Sequence, residues 1–242
     1  MKLVYVYHSC CVIEAGDFAV IIDYYKDSGE SHARGYVHDE LLCRGDRLYV
    51  LASHSHPDHF RPDVLAWKNE KREGDIVYLF SDDILQHGKA RATDALFLKK
   101  GEAYQDSHIR IKAFGSTDIG ISFLIETEGK RLFHAGDLNN WHWMEESTKE
   151  EVKEAEEAYL QELELLANAA GHIHVAMFPV DPRLGSAYMR GAEQFVSRIR
   201  TEWFIPMHFG EAYDKVLAFK DYALKHDCRL VELTHKGQRI EL

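Results

Sequence analysis

The apolar run RLYVLAS, residues 47–53, leads directly into HSHPDHF, and this junction constrains the fold more than any other stretch of the chain. Five consecutive apolar residues, Leu48 to Ala52, read as a strand buried on both faces, which belongs inside a sheet covered by helices. Its end therefore lies at a sheet edge, and that edge carries His54, His56, Asp58 and His59. Alternate residues of an extended segment share a side, so His54 and His56 point together while extension persists. Pro57 interrupts it and turns Asp58 and His59 toward a second position. Imidazoles and a carboxylate converging at one strand end are donors for a divalent ion, and one such loop can serve two ions.

Around this junction the chain divides by period. LVYVYH, CVIEA and FAVIID read as an antiparallel meander, with Ala15-Gly16-Asp17 as a turn. RPDVLAWKNEK, residues 61–71, has the spacing of a short amphipathic helix with Pro62 in its first turn. IVYLF and SDDILQH continue the strand and helix alternation. Strands dominate from 95 to 134: ALFL, AYQD, IRIKAF, ISFLIET and RLFHA, the last two joined by a hairpin turn at Glu128-Gly129-Lys130. Ser147 opens a capping-box-like S-T-K-E, after which Val152, Ala155, Tyr159, Leu163, Leu166 and Ala170 recur at helical spacing until Gly171. HVAMFPV reads as a strand, AYMRGAEQFVSRI as a helix, WFIPMHF as a strand running into a loop, and AYDKVLAFKDYALKH as one final helix before CRLVEL and QRIEL. The order suits an α/β (α+β) chain with two sheets back to back, each covered by helices, and no Pro/Gly/Ser-rich linker divides residues 1–242 into more than one domain.

Composition narrows the function classes. With 45% hydrophobic residues the chain can bury a substantial core, yet no apolar segment approaches the roughly 20 residues that span a bilayer. His8, Glu14 and Asp17 interrupt the N-terminal apolar run, which therefore reads as strands and not as a signal peptide. Cys10, Cys11, Cys43 and Cys228 show no C-x-x-C spacing, and the adjacent pair points to opposite faces of a strand, so reduced thiols in a cytoplasm are expected. A net charge of −11 disfavours duplex nucleic acid as the main partner and leaves a small-molecule substrate; oligomeric state stays open.

HSHPDH resembles the H-x-H-x-D-H signature of the metallo-β-lactamase superfamily of metal-dependent hydrolases. The likeness extends, in the family's order, through FAVIID with Asp23, LFHAGD with Asp137 and FIPMHFG with His208. HSCCVIEAGDFAVIID and HAGDLN resemble the branch of small stand-alone hydrolases that includes ascorbate-6-phosphate lactonase-like proteins. The resemblance implies a four-layer αββα sandwich, the metallo-β-lactamase fold. It implies that His54 and His56 hold one Zn²⁺, that Asp58, His59 and His208 hold a second, and that Asp137 bridges both. It implies as well that metal-bound hydroxide attacks an ester, lactone or phosphodiester, with Asp58 orienting the water or taking up a proton.

One ligand of the pattern is missing. The family supplies a further histidine to the first metal from a loop that here reads FGSTDIGIS. Asp118, the only ionisable residue in that loop, is the best replacement; Ser116 or Thr117 could instead position a water. His108 lies beyond IRIKAF, about 20 Å away at ~3.3 Å per residue. An oxygen donor in place of nitrogen shifts preference toward Mn²⁺ or Fe²⁺, and a single-metal form is equally compatible with the departure. A diiron redox role is disfavoured because such relatives replace the second histidine of the cluster, here His56, by a carboxylate.

Loops after other strands supply candidate pocket residues: Asn139, Trp141 and His142 in LNNWHWMEE, of which His142 could also complete the first metal, and Asp181 and Arg183 in VDPR, with Arg183 suited to an anionic group. His8 and His134 stand at strand ends where they could orient ligands. The competing readings are a phosphodiesterase or nuclease of the same fold, and a non-hydrolytic metal-binding protein with a degenerate site.

Overall fold

The first three expected strands form as Lys2–Tyr7 (β1), Cys10–Ala15 (β2) and Phe18–Ile22 (β3), an antiparallel meander in a computed structural model that describes residues 1–70 and 75–241. Cys10 and Cys11 are both buried, as expected of a strand with no wet face, and all four cysteines are free. From β3 the sheet continues in parallel through Arg47–Ala52 (β4), Ile76–Ser81 (β5) and Leu96–Leu98 (β6). Parallel neighbours need crossover connections. Here these carry Tyr36–Asp39 (α1), Trp67–Glu70 (α2) and Asp82–Gln86 (α3).

The helix expected over 61–71 is a 3₁₀ turn, Pro62–Ala66, running into the single turn of α2; Lys71 lies outside the described residues. Val12, Ile21, Val50 and Phe80 of the sheet join Leu41, Val64, Trp67 and Ile84 in one buried cluster. Each such side chain contributes roughly 1.5–3 kcal/mol by leaving water.

The second sheet opens with Ala103–Gln105 (β7), Arg110–Phe114 (β8), Ser122–Thr127 (β9) and Lys130–His134 (β10), all antiparallel. Glu128 and Gly129, with φ of 49° and 72°, close the expected β9–β10 hairpin. The long helix Lys149–Ala170 (α4) is capped one residue later than S-T-K-E suggests. Thr148 Oγ1 accepts from the Glu151 amide, and Glu151 returns a carboxylate oxygen to the Thr148 amide. Gly171 ends it with φ of 61°.

There follow His172–Pro179 (β11), Arg190–Arg198 (α5), Arg200–Met207 (β12), Tyr213–Leu217 (α6), Lys220–Lys225 (α7) and Arg229–Leu230 (β13). The single final helix expected over 212–226 is two. At Ala218 and Phe219 the amides bond to carbonyls three residues back, and Phe219 enters the core against Phe204, with ring centroids 4.8 Å apart. Gln238–Glu241 (β14) returns to pair with β1; Leu242 lies outside the described residues.

The strand orders are β14-β1-β2-β3-β4-β5-β6 and β13-β12-β11-β10-β9-β8-β7. Two units contain them: Met1–Lys99 with Thr234–Leu242, and Lys100–Leu233. Each unit starts as an antiparallel meander and turns parallel. Ligands of parallel sheets gather beyond the carboxyl ends of the strands, which is where the candidate donors lie. Asp23 follows β3, the histidine cluster β4, Asp137 β10, Asp181 β11 and His208 β12. Among the described residues no helix is long and apolar enough to cross a membrane.

Candidate metal centre

In the first unit β4 stops at Ala52, and the histidines are presented by a turn rather than by continued extension: the His59 and Phe60 amides both donate to the His56 carbonyl. The turn folds three imidazoles together. His54 lies against His59, with ring centroids 4.1 Å apart, and nearly at right angles to His56 at 4.7 Å. Asp23, fully buried, organises this loop. Its Oδ1 accepts the Ser53 amide at 2.7 Å, and its Oδ2 accepts both the Ser53 hydroxyl and His59 Nδ1–H at 2.7 Å. With its proton given to Asp23, Ser53 Oγ accepts from His54 Nδ1 at 2.9 Å.

Both histidines thus carry their proton on Nδ1 and present the Nε2 lone pair, the form in which imidazole ligates metal. His54 Nε2 accepts from His56 Nδ1 at 3.0 Å, a hydrogen bond that an ion bound at His54 would replace. Ligand atoms of His8, Asp58 and His59 lie within 4.8 Å of one another. Burial pushes the Asp58 carboxyl upward, but His8 and the neighbouring His59 outweigh it and hold Asp58 well below the usual carboxylate range.

In the second unit the same device recurs. His208, buried and in left-handed backbone with φ of 65°, gives Nδ1–H to Asp181 Oδ2 at 2.9 Å and turns Nε2 toward Asp137 Oδ1, 3.5 Å away. Burial raises the Asp181 carboxyl, yet the hydrogen bonds from His208 and Arg183 bring it down to about 2. A lone pair and a carboxylate oxygen facing each other repel unless a cation lies between them, so these donors suit a divalent ion. Asp118 is exposed on its loop, and one of its carboxylate oxygens comes within 4.8 Å of one of Asp137. That loop is tied to the Asp137 loop by Thr117, whose hydroxyl donates to the Asn139 carbonyl at 2.5 Å and accepts the Asn139 amide at 3.0 Å.

The pocket residues expected from sequence fare differently. Asp181 does not line a rim: it is 1% exposed, and its oxygens serve His208 and Arg183. Arg183 forks onto Asp181, although its side chain is 64% exposed. His142 is buried, accepting the Met144 amide at Nδ1 and donating from Nε2 to the Ala187 carbonyl, and burial lowers its pKa. Both its ring nitrogens are engaged with backbone. Ser53 was missed by sequence reading, and the orienting roles of Asp23 and Asp181 were not foreseen. The signal available was an aspartate at the end of an apolar strand.

A third cluster, His172, His174 and Glu202, lies at the opposite ends of β11 and β12. His174 Nδ1 accepts the Arg131 amide at 2.9 Å, so neutral His174 keeps its proton on Nε2 and is not set up to ligate there.

The profile of a family described as "Beta-lactamase superfamily domain" matches residues 2–156. The chain is similar to a protein of Korarchaeum cryptofilum named as a metal-dependent hydrolase, 26% identical over 172 residues, which are 69% of this chain and 66% of that one. Among solved structures, a metallo hydrolase from Ignicoccus hospitalis matches with a TM-score of 0.68 and 16% identity, covering 100% of this chain and 98% of that one. CmlA, a diiron β-hydroxylase from Streptomyces venezuelae, matches with a TM-score of 0.67 and 13% identity, covering 100% of this chain and 54% of that one. These likenesses establish the fold, and the fold hosts more than one chemistry.

Proposed function

The chain belongs to the β-lactamase superfamily, and from that premise we propose that it is a metal-dependent hydrolase acting on an ester, lactone or phosphodiester of a small molecule. One observation carries the reading: His54, His59 and His208 each have Nδ1 engaged by a hydroxyl or carboxylate, so that Nε2 offers a lone pair. The proposed ligands are His54, His56, Asp58, His59, Asp118, Asp137 and His208, holding one or two ions. Nitrogen and carboxylate donors together suit Zn²⁺, with Mn²⁺ or Fe²⁺ as alternatives. A bound ion of this kind supplies Lewis acidity and lowers the pKa of a coordinated water toward neutrality.

The residues do the rest. Asp23 and Asp181 fix imidazole orientation, and Asp137 is assigned the bridging position. Asp58 is assigned to orient the water or take up a proton; its 41% exposed side chain leaves it accessible, and its depressed pKa keeps it ionised, which suits an orienting acceptor better than a strong base. The lactone arm follows from the resemblance of the HSCCVIEAGD and HAGDLN segments to small lactonase-like hydrolases. A reducing, cytoplasmic setting is part of the same reading, supported by four free cysteines.

The test is metal analysis of protein purified without added metal, joined to a screen of ester, lactone and phosphodiester substrates with Zn²⁺ or Mn²⁺ supplied. At least one equivalent of metal and hydrolysis of one substrate class are expected, with both lost in His59→Ala and Asp137→Ala. Less than one equivalent, and no activity restored by either ion, points to the non-hydrolytic reading.

A further inference from the structure

We propose that His8 is a positioning residue for Asp58, and that the β1–β2 turn is strained in order to deliver it. The proposal rests on the hydrolase reading only for the role of Asp58, and its test separates the two.

Tyr7 ends β1 and Cys10 begins β2, so His8 and Ser9 form a two-residue turn. His8 has φ of 57°, a left-handed conformation that glycine adopts freely and histidine seldom does. Among the described residues six that are not glycine have positive φ, and three of them, His8, Asp23 and His208, stand at strand ends beside the metal-ligand candidates. Strain of this kind persists where the surroundings hold it in place. Here Tyr5, fully buried, accepts the His8 amide on its hydroxyl at 3.1 Å, and the β1–β2 register shifts between Tyr5 and Tyr7, just before the turn.

The strained residue is aimed. Its ring lies edge-on to His59 and to Tyr25, with centroids at 6.1 and 6.4 Å, and its Nε2 is 3.3 Å from Asp58 Oδ2. His59 Nε2 is 3.9 Å from the same oxygen. The Asp58 side chain is 41% exposed and on its own has several rotamers open to it, whereas that of His8 is only 14% exposed. Anchoring Oδ2 therefore selects one orientation of the carboxylate and fixes where Oδ1 points. A turn that only had to reverse the chain would be served better by asparagine or glycine.

Two substitutions separate aim from turn formation. His8→Asn suits the left-handed backbone but is too short to carry a donor to the Nε2 position, while His8→Gln reaches it with an amide N–H and leaves the backbone strained. Measurements are the melting temperature, Zn²⁺ affinity by competition with a chromogenic chelator, and kcat and KM on whichever substrate the screen identifies. His8→Asn should melt at or above wild type yet bind Zn²⁺ about 10–100-fold more weakly, the usual cost of losing a group that orients a ligand, with kcat falling and KM little changed. His8→Gln should recover most of both losses while melting no higher than wild type.

Wild-type affinity and kcat in His8→Asn would make His8 a turn residue and overturn the proposal. Loss of a whole equivalent of Zn²⁺ in both variants would make it a ligand and overturn it equally. A wild type that binds Zn²⁺ but hydrolyses nothing defeats the hydrolase reading while the affinity comparison still decides on His8. A wild type that binds no Zn²⁺ defeats both.

Discussion

His59 and His208 each donate Nδ1–H to a buried aspartate placed just beyond a strand, Asp23 after β3 at 2.7 Å and Asp181 after β11 at 2.9 Å. The two braces are built from different material. Asp23 is held from within, by the Ser53 amide and hydroxyl, and through Ser53 it orients His54 as well. Asp181 is held from the solvent side, by the amide and guanidinium of Arg183. The same tautomer lock can thus be part of a core or a clamp at its margin. In the first case it is inseparable from folding, and in the second it can fail without the fold failing.

Asp23→Ala should therefore have the largest effect. It leaves the Ser53 amide and His59 Nδ1–H without a charged acceptor where no water reaches, a loss on the order of 3 kcal/mol. For a chain of this length that lowers the melting temperature by about 6–12 °C, and metal binding should fall with it. Thermal melting of metal-free protein checks the first part. A melting point close to that of wild type would show that the inner brace is no more structural than the outer one.

The sequence made the local part of this arrangement legible and hid the distant part. HSHPDH declares itself because its donors are adjacent and follow an apolar strand, and the strands of both sheets show because their apolar runs are long enough to carry a period. The braces join residues far apart: Asp23 to His59 across 36 positions and Asp181 to His208 across 27. Which aspartate meets which histidine depends on parallel register, and β11 pairing with β12 from His172 opposite Arg200 to Pro179 opposite Met207 is what brings the two loops together. Asp181 accordingly reads as a rim residue until the register is known. The strain at His8 is hidden for a different reason, since nothing in Tyr7-His8-Ser9 announces a turn with positive φ. The division of the last helix at Phe219 depends likewise on where the core has room for a ring.

Asp181→Asn should act next most strongly, and on the site rather than the fold. An amide presenting N–H₂ to His208 Nδ1 turns the ring nitrogen from donor to acceptor, moves the proton to Nε2 and closes the lone pair that faces Asp137. Metal affinity should drop about 10–100-fold, while stability changes by no more than about 1.5 kcal/mol because the side chain keeps its volume and Oδ1 still accepts the Arg183 amide and Nε–H, only the Nη2 bond to Oδ2 being lost. Chelator competition and thermal melting on the same preparation separate the two quantities. Equal losses in both would erase the contrast with Asp23.

The smallest effect belongs to Asp118, the donor with least support behind it. It is exposed, its amide donates to the Ser116 hydroxyl oxygen at 3.3 Å, and its loop is tied through its neighbour Thr117 to Asn139. Replacing the carboxylate leaves those ties intact, so Asp118→Ala should alter stability by less than about 0.5 kcal/mol. If Asp118 stands where the family has a histidine, the variant should hold less metal at equilibrium, most visibly for Mn²⁺, which favours oxygen donors over nitrogen. Unchanged occupancy with either Zn²⁺ or Mn²⁺ would remove it from the ligand set. His54 and His56 would then hold their ion without the GSTD carboxylate, and Ser116 and Thr117 would remain as the groups of that loop able to position a water.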